Sequence, residues 1–270
     1  MKKIILIQIF ILALTPLLSQ ELGNINKFAS QLMQDEEYYR AITEYKRANS
    51  YYPDNNNFTQ NLEAIARCYL LADHKIEAIN SFKKVLQYDP VNQDAIFSIV
   101  NTYSQISYFY ESNNIIEEYL DIFKGEDRDL LLLNNSLNYI NLEKYNQAEE
   151  VLNLVETQKY IKKSSEFKHI LAELPLKQKK KSTAVISGLI LPGSGYFYTG
   201  RNQTGFAALV VNLLLGYATY DCFQNDKQGL GIVSGVFFTS FYLGSVYGSI
   251  QVVDDYNKEI KINFIKKFKI

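Results

Sequence analysis

Along residues 22–162 the apolar positions fall at helical spacing, and a fixed set of small and aromatic residues returns every 34 to 37 positions. Ala41, Tyr45, Ala48 and Pro53 are separated by steps of four, three and five, and Ala78, Phe82, Val85 and Pro90 repeat those steps. Ser112, Ile116, Tyr119 and Lys124, then Ala148, Leu152, Val155 and Tyr160, keep the spacing without the proline. Twelve residues ahead of each leading small residue stand Ala29, Ala66, Val100 and Ser136, followed three positions on by Leu32, Tyr69, Tyr103 and Tyr139. Further along, the pattern changes. Two long apolar runs, Gly205–Phe223 and Gly229–Val253, are separated by the short polar stretch Gln224–Gln228. Each is close to the roughly 20 residues a helix needs to cross a hydrocarbon core.

The first pattern predicts two antiparallel helices per repeat. A small residue on each helix lets the pair approach, an aromatic fills the space beside the next repeat, and proline ends the second helix. No such pair buries its apolar face alone, so neighbours stack. The period and the order small, small, aromatic, proline resemble the tetratricopeptide repeat family. The expected repeats are 22–55, 59–92, 93–126 and 129–162, with Asn55-Asn56-Asn57 as an insertion and a closing helix over 164–174, capped by Ser164 or Ser165 and stopped by Pro175. An irregular helical bundle is the alternative. The resemblance implies a groove, lined by the first helices, that takes a protein or peptide. Its candidate residues are Asn26, Ser30, Glu63, Arg67, Phe97, Asn101, Asn134 and Asn138. Family members that grip a C-terminal carboxylate use lysine and asparagine, whereas Asn26, Glu63 and Phe97 hold those positions here.

Ahead of the apolar runs, Lys177-Gln178-Lys179-Lys180-Lys181 precedes a short apolar segment, and Pro192-Gly193-Ser194-Gly195 then forces a turn. A segment over 183–191 is too short to cross alone and reads as an interfacial or re-entrant helix, with a proline-kinked third span as the alternative. Pro192, Gly193, Gly195, Tyr198 and Gly200 resemble the PGxGQxYxG signature of small two-helix membrane modules of the DUF5683-like and TM2-like kind, with Tyr196 where glutamine is usual. That resemblance implies a bacterial envelope setting and no particular activity. Gly231, Gly235, Gly244 and Gly248 are spaced to let helices touch closely in lipid, and Asn212 is placed to bond across to Ser234, Thr239 or Ser240. Packing between the two spans and a homodimer face are the two uses weighed for these glycines.

Met1-Lys2-Lys3, the apolar run Ile4–Leu18 and a polar exit at Ser19 describe a secretory signal peptide over 1–19, with an uncleaved anchor as the alternative. The net charge of −1 conceals a split: residues 21–176 carry 24 acidic against 15 basic side chains, and residues 177–270 carry 5 against 11. An acidic repeat segment disfavours nucleic acid, and a basic membrane end suits anionic head groups. Cys68 and Cys222 stand apart and suggest neither a disulfide framework nor a metal site. His74 and His169 lie in no ligand-like cluster, and no nucleophile elbow is present, so no enzyme, metal or cofactor is expected.

The expectation is therefore an all-α chain. Residues 20–176 form a repeat solenoid, and residues 177–270 form a helical membrane hairpin with a basic amphipathic tail. It would be exported and anchored in the inner membrane of a bacterium with the repeats in the periplasm, binding a protein or peptide partner and the lipid bilayer. The alternative is an accessory subunit whose membrane module is the functional part, working with other membrane-complex subunits.

Overall fold

A computed structural model describes residues 23–53 and 57–267. The expected signal peptide over 1–19, most of the Asn55–Asn57 insertion and the last tail residues lie outside them. The described residues form helices and no strand. Contacts divide the chain into two compact units, Met1–Ser164 and Ser165–Ile270.

The first unit is four helical hairpins. They pair α1 (23–34) with α2 (Tyr38–Tyr51), α3 (Phe58–Leu71) with α4 (Lys75–Tyr88), α5 (Gln93–Gln105) with α6 (Phe109–Tyr119), and α7 (Gly125–Asn141) with α8 (Tyr145–Leu152). All eight small positions of the sequence pattern (Ala29, Ala41, Ala66, Ala78, Val100, Ser112, Ser136 and Ala148) are 0% exposed. The two serines satisfy their hydroxyls on nearby carbonyls, Ser112 on Val100 at 3.1 Å and Ser136 on Leu133 at 2.8 Å. Each apolar cluster crosses a repeat boundary. Ala41, Ile42 and Tyr45 pack with Ile65 and Cys68 of the next hairpin, and Phe82 and Val85 pack with Ala95 and Ile99 of the one after. This is the physical content of a stacked repeat: the second half of each core is supplied by the neighbour.

Every hairpin turns the same way. Glu36, Asp73, Ser107 and Glu143 adopt φ near +60°, and the next residue's N–H reaches back five positions, as His74 does to the Tyr69 carbonyl at 2.9 Å. These are Schellman turns. They recur at intervals of 37, 34 and 36, the same as those of the small residues.

The closing helix α9 (Gln158–Lys177) begins six residues earlier and ends three later than 164–174. Ser164 is not its cap. It is buried mid-helix with its hydroxyl on the Leu152 carbonyl at 2.7 Å. The helix start is held instead by Asp129, 1% exposed, whose carboxylate accepts from the Glu156 and Thr157 backbone N–H groups and from the Thr157 hydroxyl at 2.6 Å. Pro175 lies inside the last turn. Its missing donor deprives only the Leu171 carbonyl, so the helix runs on for two residues.

In the second unit α10 (Lys181–Ile190) and the short α11 (Ser194–Tyr198) precede two long helices, α12 (Asn202–Gln224) and α13 (Gln228–Lys266). At 1.5 Å per residue these run about 35 and 58 Å, against about 30 Å for a hydrocarbon core. Both are long and apolar enough to cross a membrane. Their apolar side chains face outward: Leu213, Leu214, Ile232 and Val236 are each more than 60% exposed. The expected tail is not separate but continues α13 to Lys266.

Candidate partner groove and membrane module

The eight groove candidates do not share one environment. On α3, Glu63 and Arg67 are tied into a polar strip with the start of α5. Arg67 donates to Asp94 at 2.8 Å, and Asn92 donates to Glu63 at 2.8 Å. On α5, Asn101 is exposed and Phe97 is half-buried, its ring 5.9 Å from that of Phe123. On α1, Ser30 is exposed and bonds Tyr45, whose hydroxyl is pushed up in pKa by burial first and by Cys68 second, with the Ser30 bond opposing. Asn26 is half-buried, with a buried side-chain oxygen that has no partner among the described residues.

The fourth repeat departs from the expectation. Asn138 is 1% exposed and cannot line a groove. Its amide donates to Ser112 at 2.9 Å and Asn113 at 2.8 Å, and its oxygen accepts from Ser104 at 2.8 Å. Asn134 is half-buried and donates to the Leu130 carbonyl of its own helix. The cause is register. In the first three repeats the candidates stand three before and one after the small residue, at 26/30, 63/67 and 97/101. Asn134 and Asn138 stand two before and two after Ser136, about 100° further round the helix. The in-register positions are Leu133, buried, and Leu137, half-buried. Asp94, which closes the Arg67 strip, was missed. Its place four residues past Pro90, in the first turn of a helix, is the signal that could have found it.

In the second unit the contacts follow a ladder along α13. Lys179 exchanges two bonds with Asn257, its N–H to the side-chain oxygen at 2.8 Å and its carbonyl to the side-chain amide at 2.9 Å. Lys181 pairs with Asp254 at 2.7 Å, Gly188 lies against Val246 and Ser249, and the Tyr242 hydroxyl donates to the Leu189 carbonyl at 2.6 Å. The chain therefore descends beside α13 by about twelve residues, roughly 18 Å. It turns at Pro192-Gly193 and climbs again, for Arg201 pairs with Asp255 at 3.0 Å. From there α12 runs the whole way down, with Thr219 opposite Gly235 and Phe223 opposite Gly231. The short segment thus doubles back beside α13 before α12 begins.

The residues that resemble the signature make that turn. Gly193 has φ +91°, and a Cβ there would strike the Gly205 carbonyl. Gly195 lies on Ser249, and Gly200 has φ +82°. The Tyr196 ring, where the signature has glutamine, is pressed onto Gly248 by its hydroxyl. Pro192 opens the turn. The Tyr198 carbonyl accepts from the Lys179 ammonium, which also sits 4.6 Å from the Tyr198 ring centre and 4.9 Å from that of Tyr256. Of the four packing glycines, Gly231 and Gly235 face α12, Gly248 faces Tyr196, and Gly244 has nothing within 4 Å. The expected bond from Asn212 across to α13 does not form. Asn212 donates to the Ala208 carbonyl of its own helix at 2.7 Å, and Ser234, Thr239 and Ser240 likewise donate to their own helix. A hydroxyl in a helix reaches the carbonyl three or four residues back more easily than a neighbouring helix.

Cys68 is fully buried, and burial raises its thiol from 9.0 to about 11, so it stays protonated at neutral pH. Asp254, Asp255 and Asn257, which hold the lysine and arginine cluster, were also not anticipated. Their position directly after the second apolar run, with a basic stretch directly before the short apolar segment, was the available signal.

No protein-family model matches the chain, and no curated protein sequence does either. Among solved structures it is similar to the crystal structure of a tetratricopeptide repeat protein from Parabacteroides merdae, with 16% identity over 92% of each chain and a TM-score of 0.50. At that identity the likeness is one of fold: an all-helical repeat architecture, followed here by two long apolar helices.

Proposed function

We propose that this protein is a membrane-anchored adaptor. Its repeats hold a protein or peptide partner, and its C-terminal hairpin keeps that partner at a bilayer. The observation that carries the reading is the pairing of a water-compatible stack of helical hairpins with two helices whose apolar side chains point outward, in an amount that water does not tolerate. The signal-like start Met1–Ser19 supports export, and with it a periplasmic setting on the inner membrane of a bacterium. On this reading Lys177–Lys181 and the helix beyond Asp254 lie on one side of the membrane, because the re-entrant segment does not cross. The Arg67–Asp94 strip, Phe97 and Asn101 form the surface offered to the partner.

The test uses the full chain in membranes. Carbonate washing should leave it in the pellet, and single cysteines at Lys180 and Lys258 should label together, from the side opposite one at Asp226. Partners recovered with the wild type should be lost with Asn101→Arg while the protein stays in the pellet. Partners kept by Asn101→Arg and lost by Gly248→Leu would instead favour the accessory-subunit reading. Recovery of the chain in the wash would refute both.

A further inference from the structure

The second unit is thicker at one end than at the other. Lys181 pairs with Asp254 and Arg201 with Asp255, so both ends of the segment between them meet α13 at one level, directly after its apolar run. From that level α10 runs beside α13 for 10 residues, about 15 Å, or half of a hydrocarbon core of about 30 Å. The turn at Gly193 lies against Gly205 and Leu209, four and eight residues along α12 from Arg201, and α11 packs on both long helices. Further along, α12 and α13 meet each other, with Gly216 against Phe238, Gly235 against Thr219 and Gly231 against Phe223, and no third helix packs there among the described residues. The outer face of α10 is apolar and open, for Ile186, Leu189 and Ile190 are all exposed. Its backbone end is nevertheless satisfied. The Ser187 carbonyl accepts from the Leu191 N–H at 2.8 Å, and the Leu189 carbonyl accepts from the Tyr242 hydroxyl at 2.6 Å. A helix closed in this way is tolerated in hydrocarbon.

We propose that the second unit is a wedge that favours curved membrane, with the leaflet at the Lys181–Asp254 end convex. The proposal rests on the membrane-crossing reading of α12 and α13. A helix with its side chains is about 10–12 Å across, so α10 beside the two long helices widens one leaflet's share of the protein by about half, and α11 adds to it. The other leaflet holds two helices alone. Bending the bilayer toward the wider end opens the space that α10 needs, whereas a flat bilayer must be compressed on that side. Two observations make acyl chains the occupant of the open face of α10. Its exposed side chains, Ile186, Leu189 and Ile190, are hydrocarbon and present no hydrogen-bonding group. Its length starts at the charged level of Lys181 and ends after about 15 Å, the reach of one leaflet of acyl chains. The anchor then selects where on a membrane the repeats are held.

The test reconstitutes the full chain into vesicles of dioleoylphosphatidylcholine, which carry no net charge, so that the lysines add no attraction. Cys68 and Cys222 are replaced by alanine, and Lys180→Cys carries a membrane-impermeant dye that counts the chains with this end outward. Chains per unit of lipid area should be at least about threefold denser on vesicles of about 30 nm than on vesicles of about 200 nm. Deleting residues 183–198 removes the wedge and keeps the repeats and both long helices, and the flanks already meet at Asp254 and Asp255. That variant should lose about half or more of the preference. Ile186→Ala, Leu189→Ala and Ile190→Ala together thin the wedge at exposed positions and should give an intermediate value. Even density across sizes overturns the proposal, as does a preference that survives both changes. If the deletion keeps the chain out of vesicles, the alanine variant decides, and a preference equal to that of the parent chain overturns the proposal. Carbonate extraction of the loaded vesicles separates the two failures. A chain that washes off refutes the membrane reading, and a chain that stays without a size preference refutes only the wedge.

Discussion

Substituting Gly195 by alanine tests the re-entrant turn most directly. An added Cβ would fall onto both the Cβ and the Oγ of Ser249 and lie 3.1 Å from the Ala184 carbonyl. Ordinary carbon contacts need about 3.5–4.0 Å. Because Ser249 is short and fully buried, no flexible end can swing aside, and α11 must lift from α13 by more than about 1 Å. Overpacking of this kind costs about 1–3 kcal/mol. The structure also names the cure. Ser249→Gly removes both clashing atoms at a helix-propensity cost of about 0.5 kcal/mol on its own. The double variant should therefore be more stable than Gly195→Ala alone, a favourable coupling of about 1 kcal/mol or more in a double-mutant cycle. The assay is denaturant unfolding of the full chain in detergent, followed by helical circular dichroism. Wild-type stability for Gly195→Ala, or additive losses in the double variant, would refute the placement of α11 against α13.

Asp129→Ala should lower stability by about 3 kcal/mol, because it leaves the Glu156 and Thr157 N–H groups without their charge-assisted acceptor, whereas Asp129→Asn should keep part of the effect; thermal melting of both variants checks the order. Alkaline pH should destabilise the repeats. The Cys68 pKa is raised from 9.0 to about 11, so its contribution is complete below pH 9 and is lost as pH climbs toward 11, up to about 2.5 kcal/mol. Tyr45, Tyr119 and Tyr139, all raised chiefly by burial, act in the same direction. Denaturation at pH 8 and pH 10.5 should show a smaller loss for Cys68→Ala than for the wild type, and equal losses would exclude the thiol.

What the sequence made legible was whatever depends on side-chain size at fixed intervals. The spacing of Ala29, Ala41, Ala66 and Ala78 extends without error to Val100, Ser112, Ser136 and Ala148, because close approach of two helices tolerates only a small or compact group. The two apolar helices were equally plain, since length and hydropathy alone define them. Polar residues were less legible, because the same asparagine serves in a groove or in a core. Asn138 was expected to be exposed, yet it bonds Ser104, Ser112 and Asn113 inside the stack, one register step from the face expected. Asp129 reads as one more surface carboxylate until the fold brings residues 156 and 157 to it. In each case the decisive partner lies more than twenty positions away, beyond the reach of local pattern.

The two units answer one packing problem with different small residues. Both turn their helices with the same Schellman bond, at Glu36, Asp73, Ser107 and Glu143 in the repeats, and at Gly200 and Asp226 in the second unit, where Lys227 reaches the Cys222 carbonyl at 2.8 Å. Both bring helices together over small residues. In the repeats alanine suffices, because stacking is driven by apolar area withdrawn from water and a Cβ adds to that area. Hydrocarbon offers no such gain on burial, so cohesion there must come from closer contact. That is where glycine replaces alanine: Gly193 on the Gly205 carbonyl, Gly195 on Ser249 and Gly248 on Tyr196. On the membrane reading proposed above, the shift from alanine to glycine at these contacts follows the shift in medium.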